Sequence, residues 1–150
     1  MTIVAIGADA AGYSLKGKVI NLVRDLGHEA LDVGTHGPEP MVDYPEYAVK
    51  VGEMVRSGRA DFGILICGTG IGMSIAANKI PGIRAALCHN PFGARKSREH
   101  NDANVLALGA WEITTERAAE IVELWLTTDY HGGRHESRLR TIAELERPRE

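Results

Sequence analysis

Long apolar runs, blocks of basic charge and cysteines are all scarce in this 150-residue chain. No apolar stretch approaches the ~20 residues that span a bilayer, which argues against a membrane partner. Seventeen Lys and Arg stand against twenty Asp and Glu, a formal net charge of −3, and no long basic block occurs. That balance argues against nucleic acid held by phosphate contacts. The two cysteines, Cys67 and Cys88, sit in separate apolar runs and read as reduced thiols of a cytoplasmic protein. Residues Met1 to Ile6 lack a basic leader and a long apolar segment, so they read as a first strand rather than a signal peptide. Internal repeats and low-complexity tracts are absent as well.

What is present is the mix of one globular domain: 44% hydrophobic and 25% charged residues. Apolar runs alternate with helical patterns throughout. Strands are expected at Thr2–Gly7, Glu29–Val33, Phe62–Cys67, Arg84–Leu87 and Val105–Leu108. Helices are expected near Tyr13–Leu26, Pro45–Ser57, Gly72–Asn78, Phe92–Glu99 and Thr115–Leu126. In the first helix Leu15, Val19, Leu22, Val23 and Leu26 form a 3.6-residue stripe, and Gly27 fits its C-cap. Thr114 or Thr115 suits the N-cap of the fifth, with Glu116 in its first turn. This order predicts a parallel sheet covered by helices on both faces. The loop Thr35–Pro40 is the most irregular stretch and reads either as a lid or as an ordinary surface loop. After Gly132-Gly133 a charged tail carries Leu139, Ile142 and Leu145 at helical spacing. Such a tail reads as an arm reaching a partner subunit.

The segment DFGILICGTGIGMSIAANKI, residues 61–80, holds most of the functional information. A buried strand ends in Cys67, a turn of free amides spans Gly68 to Gly72, and a helix opens. A helix N-terminus can activate a thiol and hold an anion. The turn is not a dinucleotide fingerprint: Met73 replaces the third glycine, and residues 85–95 supply no acidic partner. Nor is it a P-loop, since no Gly-Lys-Ser/Thr follows. A short anion-binding turn beside a nucleophile or base remains, whereas Cys88 has no such loop and reads as core.

Ligand chemistry in an open parallel sheet gathers at the strands' carboxyl ends. Asp9 falls there after strand one, and reads equally as a helix N-cap. His89 and Asn90 follow strand four, and His100-Asn101-Asp102 lies between helix four and strand five. His131 and His135 are four apart, but no third ligand is evident and the glycine pair disfavours a helix, so a metal site is not expected. Arg134 and Arg138 read either as a solvated face or as an anion clamp.

Taken together, Gly7-Ala8-Asp9, Asp43-Tyr44-Pro45, CGTGIGMSIAANK, GIRAALC, REHNDANVLALGA and GGRHESR resemble the RpiB/LacAB family of sugar-phosphate isomerases, in order and over nearly the whole chain. The resemblance implies a Rossmann-like three-layer α/β/α sandwich with a five-stranded parallel sheet and a C-terminal helical arm. It implies a homodimer or tetramer with active sites at the subunit interface, and neither metal nor cofactor. It implies interconversion of ribose and ribulose 5-phosphates, or of galactose, allose or tetrose phosphates in relatives. Cys67 matches the base moving a proton between C1 and C2. A subgroup uses a glutamate six residues on, where this chain has Met73. The backbone of Gly68, Thr69, Gly70, Ile71 and Gly72 matches the anion hole for the enediolate, and Thr69 assists at the base. Asp9 and Asn101 match contacts to sugar hydroxyls, with Tyr44 lining the pocket. His100 matches a ring-opening histidine donated by the neighbouring subunit, and Arg134 and Arg138 match phosphate-binding arginines.

Two positions depart from the pattern. A histidine usually follows the strand-one aspartate, and here it is Ala10; an arginine usually follows strand five's Gly-Ala, and here it is Trp111. Both would contact phosphate. The reaction centre is therefore expected intact and the specificity site remodelled. The leading substrate is ribose 5-phosphate; the alternatives are a tetrose phosphate, a hexose phosphate or an unphosphorylated sugar. A non-catalytic sugar-phosphate-binding protein is the alternative of another class. Cys67, Thr69 and His100 argue against it, because a pure binder has no use for a base.

Overall fold

Five parallel strands order as β2-β1-β3-β5-β4 in the computed structural model, which describes residues 1–37 and 43–148. The strands are β1 (Ile3–Ala8), β2 (Glu29–Gly34), β3 (Phe62–Cys67), β4 (Ala85–Leu87) and β5 (Val105–Gly109). The helices are α1 (Tyr13–Asp25), α2 (Tyr44–Arg56), α3 (Ile71–Ala77), α4 (Pro91–Asn101), α5 (Thr115–Thr127) and α6 (His135–Glu144).

A parallel strand buried on both faces must be apolar on both, and its alternate side chains then serve two cores. Ile64 and Ile66 of β3 face one core with Val4 and Ile6 of β1, Leu106 and Leu108 of β5, α1, α5 and Trp125. Leu65 and Cys67 face the other, with Ala5, Val105, Ala107, Tyr47, Val51 and Met73 under α2 and α3. These are the three layers the sequence implies.

Local signals refine the expected boundaries. Gly12, rather than Asp9, is the N-cap of α1, and the Asp9 carboxylate accepts the Gly12 N–H at 3.0 Å. Leu26 caps the other end, and Gly27 follows it at φ +88, as a left-handed residue after a helix does. Thr114 caps α5 by accepting the Arg117 N–H. Helix α4 runs to Asn101, so His100 and Asn101 occupy its last turn instead of a loop.

The sequence of ends matters for function. β1 and β3 are neighbours at the sheet's topological switch, and Asp9 and the Cys67 loop emerge together at their carboxyl ends; the Asp9 N–H donates to the Ile66 carbonyl. Helix α4 starts after β4 and returns to the start of β5. Its C-terminal end therefore lies at the amino edge of the sheet, where Asn104 receives the Gly63 N–H on its carbonyl and the Arg84 N–H on its side chain.

The arm folds back along that same amino edge. The His131 N–H donates to the Glu99 carbonyl, and the Glu146 carboxylate accepts the Gly82 N–H at 3.0 Å. No residue of α6 is buried, and Ile142 and Leu145 are exposed. The tail expected to reach a partner thus touches its own chain lightly and keeps an open apolar face. Of the irregular loop Thr35–Pro40, only Thr35, His36 and Gly37 are among the described residues, so the lid alternative lies outside them. Among the described residues no helix is long and apolar enough to cross a membrane.

Candidate active site

The glycine turn is built around the sulfur of Cys67. Cys67 closes β3 with its side chain in the α2/α3 core, 5% exposed, and the Gly70 N–H donates to Sγ at 3.1 Å. Hydrogen bonds to charged acceptors are the stronger kind, so this donor is best used when the sulfur carries charge. Gly70 reaches that position at φ +77, and a Cβ there would lie 2.9 Å from the Leu108 carbonyl carbon. Glycine is the residue that tolerates both. The Ile71 N–H donates to the Thr69 hydroxyl at 3.2 Å. Two of the five loop amides are therefore engaged within the turn. Among the described residues the amides of Gly68 and Thr69 have no protein acceptor. Gly72 lies in the first turn of α3, where amides have no intrahelical acceptor. Three donors beside one sulfur suit an oxyanion better than a large polyphosphate.

Two exposed aromatic rings flank the turn. Trp111, 75% exposed, donates its backbone N–H to the Gly68 carbonyl at 2.8 Å. Its ring lies against Gly68 so closely that a Cβ there would fall 2.5 Å from Cε3. Tyr44, 40% exposed at the start of α2, stands over Gly72 in the same way, with Cζ 2.4 Å from a Cβ placed there. Asp9 and Ala10, both half-buried, close the β1 side. Asp9, Ala10, Tyr44, Cys67, the 68–72 turn and Trp111 are thereby gathered at one edge of the sheet.

The remaining predicted residues are not gathered there. His100 and Asn101 end α4 at the amino edge, and Arg134 and Arg138 lie beside them on the arm. Arg138 Nη1 donates to the Arg134 carbonyl, so the two guanidinium groups share one face, both exposed. The His100 ring stacks on His135 at 4.2 Å. One chain thus places its candidate residues in two groups at opposite edges of its sheet.

Sequence reasoning placed His89 after strand four but gave it no partner. His89, just beyond β4, places Nε2 3.3 Å from the Thr69 carbonyl. Its position after a strand's carboxyl end was visible, but no spacing rule tied it to Thr69. Lys16 was missed: its ammonium is buried against Asp32 of β2, a contact between distant residues. Cys88 is core, with its thiol pushed up by burial and partly offset by a hydrogen bond from Ser97. Among the described residues no group of three or more His, Cys, Asp or Glu is placed to hold a metal ion.

A thiol with an amide on its sulfur, open amides and a polar rim at the carboxyl edge of a parallel sheet define an α/β enzyme for small anionic substrates. Comparison with known proteins makes the class specific. The family model described as Ribose/Galactose Isomerase matches residues 4–142. Ribose-5-phosphate isomerase B of Escherichia coli is 47% identical over 146 residues, covering 97% of each chain. D-erythrulose-4-phosphate isomerase of Pectobacterium atrosepticum is 42% identical, covering 89% of this chain and 88% of that one. The solved ribose-5-phosphate isomerase B of Clostridium thermocellum superposes with a TM-score of 0.94 at 52% identity, over 96% of this chain and 97% of that one. The chain belongs to the ribose/galactose isomerase family, and it is a sugar-phosphate isomerase.

Proposed function

We propose that the chain interconverts ribose 5-phosphate and ribulose 5-phosphate through an enediolate, with no cofactor. The Cys67 thiolate takes the proton from C2 of the open-chain aldose and returns it to C1. A proton passes between O1 and O2, with the Thr69 hydroxyl beside the base. The amides of Gly68, Thr69 and Gly72 receive the developing oxyanion, a role worth ~2.7–4 kcal/mol of barrier per donor. Gly70 holds the sulfur and Ile71 holds Thr69, so these two amides position the base rather than the substrate. Asp9 and Asn101 bind sugar hydroxyls, and Tyr44 walls the pocket.

His100 opens the furanose ring, and Arg134 and Arg138 bind the phosphate; these three, like Asn101, are supplied by the partner subunit of a homodimer or tetramer. Their place at the amino edge, away from their own Cys67, supports a shared site. The observation that carries the reading is the Gly70 N–H on Cys67 Sγ at 3.1 Å inside a turn with open amides. The test is conversion of ribose 5-phosphate in D₂O. A Cys67-dependent isomerisation incorporates solvent deuterium into the product and stops in Cys67→Ala. Unchanged turnover in that variant removes Cys67 from the mechanism.

Trp111 favours a second reading, a tetrose phosphate. Its ring covers Gly68 where the family pattern has a cation, and shortens the pocket by one large flat wall. The relative named D-erythrulose-4-phosphate isomerase supports the same direction. Comparing kcat/KM for ribose 5-phosphate and D-erythrose 4-phosphate decides between the two.

A further inference from the structure

Three histidines meet where the arm returns to α4. His100 and His135 lie nearly parallel, with centroids 4.2 Å apart and planes inclined by 18°. His131 stands edge-on to His100 at 6.5 Å and 61°. The arm is fastened beside this stack: the His131 N–H donates to the Glu99 carbonyl at 3.0 Å, and its Nε2 faces the Glu99 carboxylate at 3.8 Å. An imidazole at a helix end has two χ angles to settle. A flat partner on one side and an edge on the other restrict both.

We propose that His135 is a positioning residue for His100: its ring fixes the orientation of the His100 imidazole by the flat stack. The proposal rests on the reading of His100 as the ring-opening group. Opening a furanose removes a proton from the anomeric hydroxyl and delivers one to the ring oxygen as the C1–O bond breaks. An imidazole with one protonated and one free nitrogen does this only when correctly aimed. Burial first, and then its neighbours His100, Arg134, Arg138 and His131, pull His135 below the ordinary histidine range. The Glu99 carboxylate at the cluster faces His131 and is held by Lys96 at 3.0 Å. His135 thus serves as a flat plate against the His100 ring.

The test uses full-length His135→Ala and His135→Phe with two substrates. Ribose 5-phosphate is mainly a furanose. D-erythrose 4-phosphate has its O4 esterified and cannot close that ring. His135→Ala is expected to lower kcat on ribose 5-phosphate about 10- to 100-fold, the scale of a misplaced catalytic group, with a smaller change in KM. Turnover of D-erythrose 4-phosphate should fall far less, and His135→Phe should restore most of the loss. Independently of substrate, the His100 ring-proton NMR signals should lose their ring-current shift in the alanine variant and keep it in the phenylalanine variant. Equal losses on both substrates, wild-type turnover of ribose 5-phosphate in His135→Ala, or unmoved His100 signals would each overturn the proposal. His100→Ala separates the two readings. If it spares ribose 5-phosphate, the ring-opening role itself fails; if it selectively abolishes that turnover while His135→Ala does not, only the positioning role fails.

Discussion

On the proposed reading, Cys67 serves the reaction and Trp111 the selection of substrate at the carboxyl edge. Removing the sulfur should leave the fold and substrate binding in place. Cys67→Ala is therefore expected to lower kcat by at least ~10²-fold with little change in KM, as for a positioned acid–base group. A loss confined to KM would make Cys67 a binding residue. On the same reading, Trp111 and Ala10 act on selection. Ala10→His with Trp111→Arg adds two phosphate donors and removes the ring from Gly68. It should raise kcat/KM for ribose 5-phosphate by ~10–10³-fold. If the unmodified chain already works at ~10⁴ M⁻¹s⁻¹ or above on that substrate and the double change does not help, other groups hold the phosphate.

The glycine turn is the element in which fold and chemistry are least separable. Gly70→Ala would force a left-handed residue against Leu108 and Leu87, with 2.5 Å to the Leu87 methyl. The turn must shift, and the amide leaves the sulfur. Turnover should then fall about 10²-fold, as for a displacement near 1 Å, while the melting temperature drops only modestly. Normal kcat in Gly70→Ala would show that the N–H on Sγ is incidental. Helix α4 offers a pH test. The Glu99 carboxylate is held below its ordinary range, first by the Lys96 hydrogen bond. It stabilises the folded state fully above the unfolded glutamate range near ~4.3, and that contribution is lost as pH falls through the lower folded value. Glu99→Gln should therefore flatten the acid limb of stability, read from melting temperatures between neutral pH and acid; an unchanged limb would contradict it.

At the same scale, β1, β3 and β5 were legible because each is a buried apolar run, and the 61–80 segment because a thiol, glycines and a helix follow in order. The end of α4 was missed because His100-Asn101-Asp102 has turn composition, and only Asp102 adopts the left-handed cap at φ 45. Lys16 was missed, and His89 was left without a partner, because Asp32 and Thr69 are distant from them in sequence. Contacts of that kind are fixed by strand order rather than by any local pattern.

Across the whole molecule, the decisive fact is that the candidate residues split between the two edges of one sheet. Cys67, the open amides, Tyr44 and Trp111 occupy the carboxyl edge; His100, Asn101, Arg134 and Arg138 occupy the amino edge with the arm. The family resemblance assigned both sets to one site, and helix α4 crossing the full height of the sheet explains why one chain does not bring them together. A two-fold symmetric pair can set the amino edge of one protomer over the carboxyl edge of the other, twice. The exposed apolar face of α6, with Ile142 and Leu145, agrees with such a use of the arm.

Subunit mixing tests this most directly. Cys67→Ala and His100→Ala chains, each inactive alone on ribose 5-phosphate, are unfolded or exchanged together and reassembled. A shared site predicts recovered turnover, because each mixed pair holds one site with both native groups, about a quarter of all sites after random pairing. No recovery, with subunit exchange verified by tagged chains, would contradict a site built from two copies.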